Sequence, residues 1–293
     1  MLESTLEFIR CAKCGGNLEL EVLSRDKEID EGILECKKCK LEFPIIEKIP
    51  ILWNDFSDYF SSRKTLGGKL YQKIHNKKLK SLLKSSLLNK SDNDDRTVLE
   101  ERWSKIYQNS KNSKFYSLMQ RNLKPLSKSN LVLEYGCSIG IITSYLSDYS
   151  NFVIGVDRSF SALQYAKKSQ KNNLDYIVAD SLSPVFGSVK FDLVIALNVL
   201  ELIEPIEFLK HISKQISNGA LLISDPYDFD RGTKSVKNPL DEHTLRTKML
   251  ELGFNISQKT KNPSFIPWKL KLNPRATLDY KVDFVIGKKL LSN

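Results

Sequence analysis

The sequence predicts an α/β protein: a doubly wound, mostly parallel sheet of seven strands, preceded by a small β-rich metal ribbon and a helical connector. Three observations carry this expectation. Four cysteines fall as two Cys-x-x-Cys pairs within the first 40 residues. Residues 59–90 hold nine Lys/Arg and no Asp or Glu, nearly the whole of the formal net charge of +10. From residue 98 onward, short apolar runs alternate with amphipathic stretches, as in a sheet covered by helices on both faces. The boundaries read as 1–53 for the ribbon, 54–97 for the connector and 98–293 for the α/β domain.

Composition excludes two classes. The 41% apolar and 27% charged residues are ordinary for a globular protein. The longest apolar run, 191–203, is interrupted by Asp192, Asn198 and Glu201 and falls short of the ~20 residues a membrane helix needs. The first residues carry no basic segment followed by an apolar stretch, so a cytoplasmic protein is expected.

In the ribbon, Cys11 and Cys14 precede Cys36 and Cys39 by 21 intervening residues. Each Cys-x-x-Cys turn offers two thiolates to one ion, and two turns complete a tetrahedral shell. A structural Zn²⁺ is expected there. Four protein ligands leave no position for a catalytic water. After Cys39 comes Leu-Glu-Phe-Pro-Ile-Ile-Glu-Lys-Ile-Pro-Ile-Leu. With the cysteine pairs, this resembles the small zinc-ribbon family that partners tRNA and translation-factor methyltransferases. That family often has Gly where Lys48 stands. The resemblance implies a stabilising or substrate-presenting module.

The connector repeats apolar residues at Leu66, Leu70 and Ile74, then at Leu79, Leu83 and Leu87. This four-residue spacing predicts amphipathic helices that pack on the domain and turn their lysines to solvent. The alternative reading of the same lysines is a track for RNA phosphates.

The domain's strands are expected at 130–135, 152–157, 175–179, 191–197, 220–224, 254–259 and 280–287. Helices are expected near 98–120, 140–148, 159–171, 204–217 and 241–252. The decisive motif is Leu131-Val-Leu-Glu134-Tyr-Gly136-Cys137-Ser138-Ile-Gly140. It is a strand running through a Gly-containing turn into a helix, where backbone must pass close to a ligand. Asp157 ends the next strand, 17 positions after Gly140, where a carboxylate can accept both hydroxyls of a ribose. Asp180 and Asn198 end the third and fourth strands. A hydrolase with Ser138 as nucleophile would want a supporting histidine, and His75, His211 and His243 stand in no such pattern. A nicotinamide-binding site would want glycine where Thr143 stands.

This succession resembles the class I S-adenosylmethionine (SAM)-dependent methyltransferases, which are Rossmann-like, over residues 98–293. The resemblance implies that Glu134, Gly136, Cys137, Ser138 and Gly140 shape the methionine and ribose pocket. Asp157, with Arg158, would bind the ribose, and Asp180, with Ser181, the adenine edge. Asn198 would face both cofactor and acceptor. Trp103, Tyr107 and Tyr116, on the helical stretch before the motif, would cap the pocket. Ser138 replaces the middle Gly of the first motif, and Leu202 replaces the His that often follows the fourth strand.

The strings GCSIG, GVDRSFSAL, LLISDPYDFD and IPWKLKLNPR resemble a narrower group, small-molecule N-methyltransferases acting on histidine-like compounds, such as the 4-mercaptohistidine N-methyltransferases. Where that group reads SPYxW, this chain reads DPYDF. On this resemblance Asp225, Tyr227, Trp268 and Arg275 join Asn198 on the acceptor side. The acidic run 225–230, continuing to Arg231, suits a cationic amine or imidazole. The expected activity is therefore methylation of a nitrogen in a small metabolite. The alternatives are an RNA, ribosome or protein methyltransferase that docks its substrate through ribbon and connector, and a SAM-binding partner that activates another methyltransferase.

Overall fold

The computed structural model describes residues 1–293 except 89–94, 127, 170, 233–235 and 291–293, together with the side chains of residues 231 and 232. The end of the connector, Lys90 included, and the Arg231 side chain therefore lie outside the described residues. The described strands, in chain order, are β1 (Leu18–Arg25), β2 (Ile29–Cys36), β3 (Glu42–Ile46), β4 (Ile49–Leu52), β5 (Leu131–Tyr135), β6 (Phe152–Asp157), β7 (Leu174–Ala179), β8 (Leu193–Leu197), β9 (Gly219–Asp225), β10 (Asn255–Ile256), β11 (Ile266–Asn273) and β12 (Ala276–Lys289). The chain divides into two compact units. The first is Met1–Lys105 with Asp157–Gly187, and the second is Ile106–Val156 with Ser188–Asn293.

In the first unit β1 to β4 form an antiparallel meander. Its last strand then pairs in parallel with β7, Ile51 opposite Val178 and Leu52 opposite Ala179. All four residues of β4 are buried, the apolar run expected of a strand covered on both faces. A buried charge cluster holds the same seam. Lys167 is bonded to Glu28 and lies 2.7 Å from Asp175, while Asp175 also accepts from the Thr5 hydroxyl at 2.5 Å and the Leu2 N–H at 2.8 Å. Each of these charges is matched, as burial requires.

The connector forms helices Phe56–Ser61, Lys64–Lys73 and Lys77–Leu88. Leu66, Leu70, Ile74, Leu79 and Leu83 are buried, so the four-residue stripe packs inward as its spacing predicts. Glu31 of β2 accepts from the N–H groups of His75 and Asn76, which fixes the bend before the third helix. Several of the basic side chains are already paired: Lys69 with Glu101, Lys73 with Glu47, Lys78 with Glu21 and Glu42.

In the second unit β6, β5, β8 and β9 run parallel in that order. β12 then pairs antiparallel with β9, and β10 with β12. With β7 of the first unit, the seven expected strands are all present. Two expectations are corrected. The strand expected over 254–259 shrinks to the two residues of β10, followed by a 3-10 turn at Gln258–Thr260. The Thr260 hydroxyl there accepts the Ile286 N–H of β12, and the turn satisfies the partner strand in place of more ladder. The single helix over 98–120 is two, Thr97–Ser110 and Lys114–Leu123, because the Lys-Asn-Ser run at 111–113 favours turn backbone over helix. The segment around Trp268, outside the expected strands, is strand β11, hairpinned on β12 with Trp268 opposite Tyr280.

Candidate functional site

The metal centre is built first by the chain's turns. Cys11 and Cys14 stand on one turn, Cys36 and Cys39 on the turn between β2 and β3. Their four sulfurs lie within 4.8 Å of one another, with Cys11 to Cys39 and Cys14 to Cys36 both 3.5 Å apart. Zn–S bonds of about 2.3 Å in a tetrahedron require sulfurs about 3.8 Å apart, so the donor set fits zinc. A Cβ on Gly16 would come within 3.2 Å of both Cys14 Sγ and Cys36 Sγ, which keeps that position bare. Burial opposes ionisation at Cys36, yet the N–H groups of Cys39 and Lys38 aimed at its sulfur draw its pKa down to about 7. Burial pushes the Cys11 thiol up to about 12, so binding an ion there must displace a proton.

In the second unit, β5 ends in Glu134 and Tyr135, both buried. Gly136 then turns with φ +67°, Ser138 with φ 49° and Gly140 with φ 75°. Cys137 is buried; its N–H donates to the Val156 carbonyl of β6 at 3.1 Å, and Gly140 N–H donates back to the Cys137 carbonyl. The loop is thus pinned to the neighbouring strand before helix Ile141–Leu146 begins. A Cβ on Gly136 would stand 2.3 Å from Val199 Cγ1, so no side chain fits there. Left-handed backbone at a serine stores strain of about 1–3 kcal/mol, a mark of functional loops.

Beyond the ends of β8 and β9, Asn198 also has positive φ, 55°, and its side-chain oxygen accepts from the Ser224 hydroxyl at 2.9 Å. Asp225 is fully buried, accepting from the N–H groups of Leu200 and Tyr227. It therefore ties the loop after β8 to the loop after β9. Tyr227 is the third strained residue, φ 56°. Its hydroxyl donates to Asp283 at 2.9 Å, and Arg246 grips the same carboxylate through two nitrogens at 2.7 and 3.1 Å. Burial, then the Asp283 charge, push the Tyr227 phenol far above its usual range, so it stays a neutral donor.

An aromatic group spans these loops. Trp268 stacks on Tyr280, centroids 5.6 Å apart, and lies against Phe115 and Tyr107. Tyr280 donates its hydroxyl to Asp228, just past β9. Tyr116 senses the charge of Glu134 at the end of β5: burial first, then Tyr107 and Glu134, raise its pKa. Trp268 is 2% exposed, and its indole N–H meets no acceptor among the described residues. Arg275 stands exposed at the hairpin turn.

The remaining expected residues belong to the first unit. Asp157 accepts the Ser159 N–H at 2.8 Å, and the Ser159 hydroxyl caps helix Phe160–Ala166. The Arg158 side chain is exposed. Asp180 is exposed and accepts the Leu182 N–H, with Ser181 half-buried beside it.

Comparison with known proteins agrees with this geometry. Residues 133–224 match the family described as methyltransferase domain, and residues 3–47 the family described as Trm112p-like protein. The chain thus carries a methyltransferase domain and a Trm112p-like zinc ribbon. No curated protein matches it. A chain in the complex between the Haloferax volcanii Trm112 methyltransferase activator and the putative methyltransferase shares its fold, at TM-score 0.52 and 14% identity over 65% of this chain and 97% of that one. Magnesium protoporphyrin IX methyltransferase from Synechocystis PCC 6803 with bound SAH is similar at TM-score 0.49 and 17% identity, over 66% and 95%. The TehB-like SAM-dependent methyltransferase from Corynebacterium glutamicum is similar at 0.49 and 19%, over 66% and 98%.

In the strand-end turn of the methyltransferase domain, the approach of Val199 keeps the backbone bare at Gly136. No described helix of the methyltransferase is long and apolar enough to cross a membrane. Sequence reasoning missed Tyr280, Asp283 and Arg246. Asp283 and Arg246 stand 56 and 19 residues from Tyr227 along the chain, and no local pattern announces such a network. For Trp268 a signal existed: Trp268-Lys-Leu-Lys-Leu alternates with period two, the mark of a half-buried strand.

Proposed function

We propose that the methyltransferase transfers the SAM methyl group to a nitrogen of a small amine- or imidazole-bearing metabolite. The observation that supports this best is the buried indole N–H of Trp268 within an aromatic wall beside Asp228. An unmade buried hydrogen bond costs about 1–3 kcal/mol, and an acceptor atom on a bound metabolite would relieve it. Aromatic faces next to carboxylates suit a cationic amine. SAM brings an already activated methyl group, so the chain's task is to orient the acceptor and exclude water.

In this reading Glu134, Gly136, Cys137, Ser138 and Gly140 form the bed for the methionine and ribose. Asp157, with Arg158, takes the ribose, and Asp180, with Ser181, the adenine edge. Asn198 and Tyr227 present polar groups to the acceptor. Asp225 braces their loops, while Trp268 and, at the hairpin turn, Arg275 close the acceptor side. The 1–53, 54–97 and 98–293 division then separates ribbon, connector and catalyst by role. Four free thiols gathered for a metal suit a reducing, cytoplasmic setting. The RNA reading is less favoured, since Lys69, Lys73 and Lys78 already pair with carboxylates of the chain.

The test offers the full-length, zinc-loaded enzyme methyl-labelled SAM with histidine, histamine, other imidazoles and primary amines, and separately with bulk transfer and ribosomal RNA. Label is expected in a small product. Label in RNA alone overturns the proposal. With the accepted metabolite in hand, Trp268→Phe, which keeps the ring and deletes the N–H, should raise its KM about tenfold, the equivalent of ~1.4 kcal/mol, with SAH affinity unchanged.

A further inference from the structure

The connector was expected to pack passively. Its first helix, Phe56–Ser61, instead reaches the turn that carries Asp157. The Tyr59 hydroxyl donates to the Arg158 carbonyl at 3.0 Å and accepts the Phe160 N–H at 3.2 Å. One phenol thus clamps the peptide groups on both sides of Ser159. Tyr59 is fully buried, so neither backbone group has water to turn to if the phenol is removed. Ser159 is the residue whose N–H binds Asp157 Oδ1 and whose hydroxyl caps the following helix. Whatever fixes Ser159 therefore fixes the direction of the Asp157 carboxylate.

Arg63 locks the clamp from behind. It is 1% exposed and lies over the Tyr59 ring, its guanidinium carbon 4.2 Å from the centroid. Glu100 holds it by hydrogen bonds from Nε at 3.1 Å and Nη2 at 2.7 Å. The charge of Asp157 acts on both Tyr59 and Arg63. An arginine in so dry a place, with one carboxylate bonded to it and a second in its field, orders its surroundings more than it stabilises them. All of these residues belong to the first unit.

We propose that Tyr59 and Arg63 are positioning residues for cofactor binding: the connector, through the phenol clamp on Arg158 and Phe160, sets the Asp157 carboxylate for the ribose. This rests on the reading of Asp157 as the ribose acid. The connector is then a part of the coenzyme site that a free-standing methyltransferase domain would have to replace.

The experiment is a double-mutant cycle on the full-length, zinc-loaded protein, reading SAH affinity by titration calorimetry, with zinc content and Tm measured on each variant. Tyr59→Phe keeps the buried ring and loses both hydrogen bonds; SAH should bind about tenfold more weakly, one to two lost hydrogen bonds' worth. In an Asp157→Ala background the same change should cost nothing further, because the group it positions is gone. A purely structural Tyr59 would lower Tm equally in both backgrounds and leave SAH affinity alone, which overturns the proposal. Additive losses in the cycle overturn it as well. Asp157→Ala with unaltered SAH affinity refutes the ribose assignment itself and this inference with it, whereas a weakened Asp157→Ala beside an unaffected Tyr59→Phe refutes only the clamp. Should Tyr59→Phe not fold, Arg63→Lys carries the same cycle; it keeps the charge, loses the fork on Glu100, and should weaken SAH several-fold by the same route.

Discussion

Cys14→Ser is expected to strip the ribbon of its metal and to melt the first unit's meander before the rest of the chain. The reason is geometric. Sulfurs gathered within 4.8 Å repel one another as thiolates unless a cation sits among them, and apparent binding energies for structural zinc run to about 10–16 kcal/mol. Apart from backbone hydrogen bonds such as that from the Lys37 N–H to the Asn17 carbonyl, the neighbouring strand adds little, since β1 has only one buried residue, Leu18. Metal analysis should find about one zinc per wild-type chain and none on the variant, with a new low-temperature transition on heating. The loss should spread to β7, since β4 covers its edge from Ile51 to Leu52. A variant that keeps the wild-type melting curve without metal would contradict the assignment.

Gly136→Ala should damage the cofactor site as severely as any single methyl group can. The residue stands at φ +67°, and an added Cβ meets Val199 Cγ1 at 2.3 Å. A left-handed alanine costs about 1–2 kcal/mol, and overpacking a β-branched neighbour about 1–3 kcal/mol more. Either Val199 moves, with the loop that carries Asn198, or the turn after Tyr135 does. Both outcomes displace groups assigned to the coenzyme. SAH should bind at least about thirtyfold more weakly, the equivalent of ~2 kcal/mol, and Tm should fall by several degrees. Wild-type values of both would show that the turn has room to spare.

The parts of this protein that were legible in its sequence are those with short-range signatures. The Cys-x-x-Cys pairs declare a metal because two such pairs close together supply four thiolates, a full tetrahedral shell. The turn at 136–140 declares itself through its two glycines, which stand at positive φ. Apolar runs such as Leu131–Tyr135 and Leu193–Leu197 read directly as strands buried on both faces. What escaped was assembled across the chain. Arg63 looks like one more cation in a basic stretch, yet it is buried on Glu100, 37 residues away. Tyr59 meets Arg158 and Phe160 across about a hundred residues. The hairpin of β11 and β12 hid behind Pro267 and Pro274, which punctuate the segment like a loop although the alternation between them is that of a strand. Charge counting registers the lysines of the connector but not the carboxylates that meet Lys69, Lys73 and Lys78 from elsewhere in the fold.

The whole account depends on a coenzyme bed after β5, and the direct measurement is titration calorimetry of S-adenosylhomocysteine into the intact, zinc-loaded protein. A single saturable site per chain, weakened at least about thirtyfold in Gly136→Ala, is the expected result. Folded, metal-replete protein that takes up neither S-adenosylhomocysteine nor SAM would contradict it.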